Sequence, residues 1–237
     1  MNKDNAYLKQ TLNLAYDAIK KKNYEKGKLL LEKVISINNE IPEVYNDLGL
    51  LNFNIGELDL AIRHFEKAVK IKSDFSLAYN NLGNALRKKK DFKTAIQIYQ
   101  KGIDVDNNNA HAHYNLGTLY FEKNEIKNAE NHLSLAVKIS PNLISSYVSL
   151  FELYEKSNQL DKLKEILEKA KNIFKENQII DFFYGIYHFK KKSYYEAIKI
   201  LENVKLEKND IRRSAFKNEI LAKSFDYIGS YNKSFKY

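Results

Sequence analysis

Residues 76–109 read SLAYNNLGNALRKKKDFKTAIQIYQKGIDVDNNN, and this stretch decides the fold. Ala78, Tyr79, Leu82, Ala85 and Leu86 recur at helical spacing and form one apolar stripe. Lys90-Asp91 interrupts it. Phe92, Ala95, Ile96, Tyr99, Gly102 and Ile103 then form a second stripe, and Asp106-Asn107-Asn108-Asn109 is a turn. Each predicted helix is too short to be stable alone and has one face that must be buried. The stretch is therefore a helical hairpin that needs neighbours, and the rest of the chain supplies them.

The neighbours repeat every 34 residues. Gly49, Gly83 and Gly117 share that interval, and Gly185 lies two periods further on. Ala61, Ala95, Ala129 and Ala197 form a second column, Ala68, Gly102, Ala136 and Ala170 a third, and Leu48, Leu82, Leu116 and Leu150 a fourth. Tyr45, Tyr79 and Tyr147 form a fifth, with His113 in the remaining slot. The small columns have a physical cause: Gly83 sits where the first helix crosses the second, and Ala95 and Gly102 face it from the second helix. Close helix approach requires side chains of this size, with Tyr79, Phe92 and Tyr99 filling the space beside them.

The pattern of aromatic, Leu-Gly, Tyr, Ala, aromatic and Ala over 34 residues resembles the tetratricopeptide repeat (TPR). The resemblance implies an all-α, right-handed superhelical α-solenoid of about seven TPR helix-turn-helix units. After an N-terminal lead (1–7), six contiguous copies fall at 8–41, 42–75, 76–109, 110–143, 144–177 and 178–211. Arg212-Arg213-Ser214 is an insertion (212–214), and an incomplete seventh copy occupies 215–237, with Leu221-Ala222, Phe225, Gly229 and Tyr231 in the expected places. In each copy the first helix is expected over roughly the first 14 positions and the second over roughly positions 17 to 30. The fifth copy departs at two small columns, with Phe151 and Leu163, so that hairpin is expected to splay. The last copy stops within its second helix with no polar cap, so the chain is expected to be the N-terminal portion of something longer.

Composition narrows the chemistry. Without cysteine there are no disulfides, thiolate nucleophiles or Cys-type zinc sites. The N-terminus has no apolar stretch of the secretory type, and no long uncharged apolar window follows, so a cytoplasmic location without membrane insertion is expected. The net charge of +9 is carried almost wholly by lysine; the arginines are Arg63, Arg87, Arg212 and Arg213. Few arginines and no basic run longer than Lys88-Lys89-Lys90 or Lys190-Lys191-Lys192 argue against nucleic acid as the partner.

One column suggests a ligand. The position before Leu-Gly holds Asn13, Asp47, Asn81, Asn115 and Ser149, then Phe183. In the fold the resemblance implies, this position faces the concave groove. A side-chain amide there offers donors and an acceptor to the backbone of an extended peptide. Asn84 and Arg87 lie one turn on, with Lys88, Thr118 and Glu122 near them, and a cation beside an amide suits a carboxylate. Tyr79-Asn80-Asn81-Leu82-Gly83-Asn84 and His113-Tyr114-Asn115-Leu116-Gly117 are similar to the repeats of O-linked N-acetylglucosamine transferases, whose groove carries an asparagine ladder. Leu12 and Tyr16 stand where chaperone-binding relatives place Lys and Asn, which argues against that ligand. His111 and His113 are two apart on a helix and cannot share a metal. No nucleophile–base set, P-loop or dinucleotide fingerprint is present, so no catalytic activity, cofactor or metal is expected of these residues. The expected function is a scaffold whose groove binds a protein or peptide. The alternatives are the recognition arm of a larger sulfotransferase or glycosyltransferase and, behind it, an RNA-binding solenoid.

Overall fold

The computed structural model describes residues 3–234 and 237. Among these residues there are fourteen helices and no strand. They are α1 (Lys3–Lys20), α2 (Tyr24–Ile37), α3 (Pro42–Ile55), α4 (Leu58–Ile71), α5 (Ser76–Lys88), α6 (Phe92–Val105), α7 (Ala110–Glu122), α8 (Ile126–Ile139), α9 (Ile144–Lys156), α10 (Leu160–Ile173), α11 (Gln178–Lys190), α12 (Tyr194–Leu201), α13 (Ile211–Tyr227) and α14 (Tyr231–Ser234). The chain divides into two compact units, Met1–Leu119 and Tyr120–Tyr237.

In the first unit α1 packs on α2, α3 on α4 and α5 on α6; α2 meets α3, α4 meets α5, and α3 also touches α5. The second unit repeats the scheme with α9 on α10, α11 on α12 and α13 on α14, and with α9 against α11 and α11 against α13. Odd-numbered helices thus form one layer and even-numbered helices the other within each unit. The columns read from the sequence are the core of both. Leu48, Leu82, Leu116 and Leu150 are buried, as are Ala61, Ala95, Ala129 and Ala197. A Cβ on Gly49 or Gly83 would stand 2.5 Å from the ring of Phe65 or Tyr99 respectively, so the crossing closes only over glycine.

The turn inside each hairpin has its own column. Lys22, Gly56, Lys90, Asn124, Asn158 and Lys192 have positive φ at 34-residue intervals, and Gly229 follows after an interval three residues longer. The next amide in each case reaches back to a carbonyl near the end of the first helix, as in Asp91 N to Leu86 O and Glu57 N to Asn52 O, both 2.9 Å. These bonds satisfy carbonyls that the helix end would leave bare. Only two of the seven residues are glycine, so most of these turns carry left-handed strain of about 1 kcal/mol. Gly56→Val should therefore destabilise the chain by about 1–2 kcal/mol, while Lys90→Gly should stabilise it slightly, as paired urea melts would register. Equal midpoints for Gly56→Val and the parent would show that this turn tolerates any residue.

Two departures have local causes. Phe151 and Leu163 are both fully buried, so the fifth hairpin takes the larger side chains into its core. Its helices α9 and α10 meet less extensively than α3 and α4. The second departure is α12, which ends after 8 residues where α2, α4, α6, α8 and α10 each run for 14. Val204 falls in the column of Ala68, Gly102, Ala136 and Ala170. A Cβ on Gly102 would approach Tyr79 Cβ to 3.1 Å, and in the four preceding copies the column holds nothing larger than alanine, so a branched valine fits it poorly on a regular helix. The helix stops, Val204 is buried from a loop, and Lys205 N bonds Gln178 Oε1 at 2.6 Å.

Candidate functional site

In the first unit, the candidate residues lie on the layer of odd-numbered helices, and most of them are bonded to a neighbouring helix. Asn81 Nδ2 donates to Asn46 Oδ1 and Asn115 Nδ2 to Asn80 Oδ1, both at 2.8 Å. The acceptors are buried, Asn46 at 3% exposure and Asn80 at 8%. Asp47 Oδ2 accepts from the Tyr16 hydroxyl at 2.9 Å. Burial pushes the Asp47 carboxyl above the usual range, the Tyr16 and Asn46 bonds oppose this, and the Tyr16 phenol is itself pushed up by burial and by Asp47. Asn84 Oδ1 accepts from the buried Tyr99 hydroxyl at 2.6 Å, which turns it toward its own hairpin. Arg87 Nη1 donates to Thr118 Oγ1 at 2.8 Å. Asn13 is exposed on α1.

The amide row is therefore also a staple between successive hairpins. Asn81 and Asn115 are only partly exposed, and one donor of each is committed. Removing both would strand two buried oxygens, so a role in stability goes with any role in binding. Among the described residues the Oδ1 atoms of Asn81 and Asn115 accept no hydrogen bond. Lys88 Nζ lies 4.5 Å from the Phe53 ring centroid and 3.4 Å from Phe53 O, so it too bridges adjacent repeats. His113 is buried with Nε2 3.2 Å from Asn107 O, and burial lowers its pKa. Among the described residues no group of three or more His, Cys, Asp or Glu is placed to hold a metal, and no helix is long and apolar enough to cross a membrane.

A second candidate lies in the second unit. A cavity of 720 Å³ is lined by α9, α11 and α13, with Phe121 at its edge. The lining residues occupy the columns singled out in the first unit. Phe183 stands in the Asn81–Asn115 column, Glu152 and Ile186 in the Asn84 column, and Phe121 and Glu155 in the Arg87 column. Here the column has changed from amide to aromatic. Phe182 and Phe183 are 1% and 3% exposed, with ring centroids 5.2 Å apart in an edge-on contact. Phe216 on α13 is 37% exposed, with its ring centroid 6.4 Å from that of Phe182.

The cavity wall is charged and ordered. Arg213 reaches Asp210 Oδ2 at 2.8 Å and Glu152 Oε1 at 3.1 Å. Burial works against the guanidinium charge, and the two carboxylates outweigh it, so its pKa lies above the ordinary arginine value. Lys190 pairs with Glu155 at 2.8 Å, and Lys156 Nζ lies 5.3 Å from the Phe121 ring centroid. Sequence reasoning placed Phe183 where the amide row fails and treated Arg212-Arg213-Ser214 as an insertion only. The signal was present: half of the chain's four arginines fall in those three residues.

The paired helices, the 34-residue turn column and the glycine crossings define a tetratricopeptide-type helical scaffold. Residues 42–75 and 110–143 match the tetratricopeptide repeat family, and residues 83–123 match a related TPR repeat. No curated protein matches the sequence. Among solved structures, that of pilF from Pseudomonas aeruginosa is similar with a TM-score of 0.75 at 15% identity, covering 92% of this chain and 100% of that one. MamA from Desulfovibrio magneticus RS-1 is similar with a TM-score of 0.63 at 20% identity, covering 73% and 96%. YrrB, a TPR protein with an unusual peptide-binding site, gives 0.62 at 20% identity, covering 80% and 97%. At these identities the likeness is one of fold. The resemblance to transferase repeats rests on the sequence motifs alone.

Proposed function

We propose that this chain is a protein- or peptide-binding scaffold that receives its ligand on the layer of odd-numbered helices. The observation that carries this reading is the 720 Å³ cavity lined by α9, α11 and α13. Its size and its mixture of aromatic floor and few ordered charges are what a ligand site offers. Asn13, Asp47, Asn81, Asn84, Arg87 and Asn115 extend the proposal to the first unit, where the Oδ1 atoms of Asn81 and Asn115 can accept from a peptide backbone. The peptide-binding site of the similar YrrB fold is in keeping with it. A random-peptide display selection against the full chain should yield peptides that bind saturably with Kd of about 1–100 μM. A selection that returns no peptide with saturable binding would remove this reading.

A further inference from the structure

The geometry points to a defined class of ligand for the second unit: a peptide segment that places a bulky apolar side chain, best an aromatic ring, next to a carboxylate. This rests on the peptide-binding reading above and adds the chemistry of the partner. The cavity floor sets the apolar half. Phe182, Phe183 and Ile186 line it from below and keep almost no surface of their own, so most of the apolar surface open to a ligand is that of Phe216 at 37% exposure. Phe151 backs Phe183 at a centroid distance of 5.1 Å, and Phe216 stands more open at the edge. A ligand ring entering here would join an existing set of tilted and edge-on rings, the arrangement aromatic side chains prefer. The floor rings are already fixed by packing, so little ordering is left to oppose binding.

The charge of the wall sets the other half. The lining carries four carboxylates, and each already has a cationic partner: Glu152 and Asp210 share Arg213, Glu155 holds Lys190 and Glu219 holds Lys223. The lining also carries Arg212 and Lys156. Among the described residues neither Arg212 nor Lys156 makes an ion pair; Arg212 is exposed, and Lys156 lies over the Phe121 ring. Because Glu152 and Asp210 share a single arginine, the five cations exceed the four acids by one, and the wall keeps a small net positive charge. A carboxylate brought in by the ligand meets a guanidinium able to receive it in two parallel bonds; a ligand cation finds every acid taken. Two cations are too few for a polyanion, whose binding draws on a longer series of phosphate contacts.

Fluorescence anisotropy on the full chain tests this with three labelled pentapeptides, centred on Asp-Phe-Asp, Lys-Phe-Lys and Asp-Gly-Asp. The first should bind, and the other two should bind at least about tenfold more weakly. Arg212→Glu should weaken the first peptide by at least about tenfold while leaving the thermal melt in place, since the side chain is exposed. Phe216→Ala should weaken it without altering the preference for acid over lysine. Lys101→Glu, on α6 of the first unit, should leave its affinity unchanged, since that side chain is exposed and carries no part of the candidate site. Equal affinity for the first two peptides, full affinity in Arg212→Glu, or no binding of the Asp-Phe-Asp peptide at about 1 mM would each overturn the assignment. So would loss of binding in Lys101→Glu alone, or an oligouridylate that binds more tightly than the peptide through Arg212. None of these touches the peptide-scaffold reading if display selection has yielded ligands, so the two can fail separately.

Discussion

Gly83→Leu should lower the melting temperature of the chain by roughly 5–10 °C, and Lys89→Leu should leave it nearly unchanged. The contrast follows from what each side chain would meet. A Cβ on Gly83 would stand 2.5, 2.6 and 2.9 Å from Cε1, Cδ1 and Cζ of Tyr99, well inside contact distance. Tyr99 cannot step aside easily, because it is fully buried and its hydroxyl bonds Asn84. The helices must separate or the ring must leave its site, and leucine adds three further carbons to the conflict. A cost at the upper end of the usual overpacking range, about 3 kcal/mol, is expected. Lys89 lies in an exposed turn, paired with exposed Asp59 at 2.5 Å, and pairs of that kind are screened by solvent. Equal melting points for the two variants would mean that α5 and α6 do not cross at Gly83.

Asn81→Ala combined with Asn115→Ala should destabilise the chain by about 2–4 kcal/mol, seen as a lower urea midpoint with an unchanged slope. The two amides donate to Asn46 and Asn80, whose oxygens are too deeply buried for water to replace the lost bonds. A stranded buried acceptor costs about 1–3 kcal/mol, more than the net value of the bond itself. Removing both ends of one bond is the control. Asn46→Ala added to Asn81→Ala should recover part of the loss, because no acceptor is then left bare. A double variant as stable as the parent would free the amide row from its structural duty and make it a ligand surface alone. Loss of binding in this variant can be assigned to the groove only where the fold is intact.

Much of the fold was legible because close packing leaves a periodic mark. Gly83, Ala95 and Leu82 are forced by the helix crossing, so their columns recur wherever the crossing recurs. The turn column escaped notice because Lys22, Lys90, Asn124, Asn158 and Lys192 adopt positive φ without being glycine. Backbone strain of this kind leaves no residue type behind. The early end of α12 was foreshadowed by Val204, a branched residue in a column of alanine and glycine. The site was legible as a register and not as a set of side chains. Asn81 and Asn115 bond to residues 35 positions earlier, one step off the repeat. Asn46 and Asn80 are themselves one period apart, but a column read alone does not show that it bonds to the column one step further on. Phe183, in the same register, faces a cavity that exists only because α13 brings Phe216 and Arg213 alongside, and no local pattern announces that neighbourhood.

The claim that the odd-numbered layer is the receiving surface is tested most directly by hydrogen exchange on the full chain, with and without a display-selected peptide at saturation. Bound peptide should slow exchange in α9, α11 and α13, with smaller changes on α10 and α12. Protection confined to α10 and α12, with α9, α11 and α13 exchanging as in the free chain, would place the ligand on the opposite layer and contradict the account.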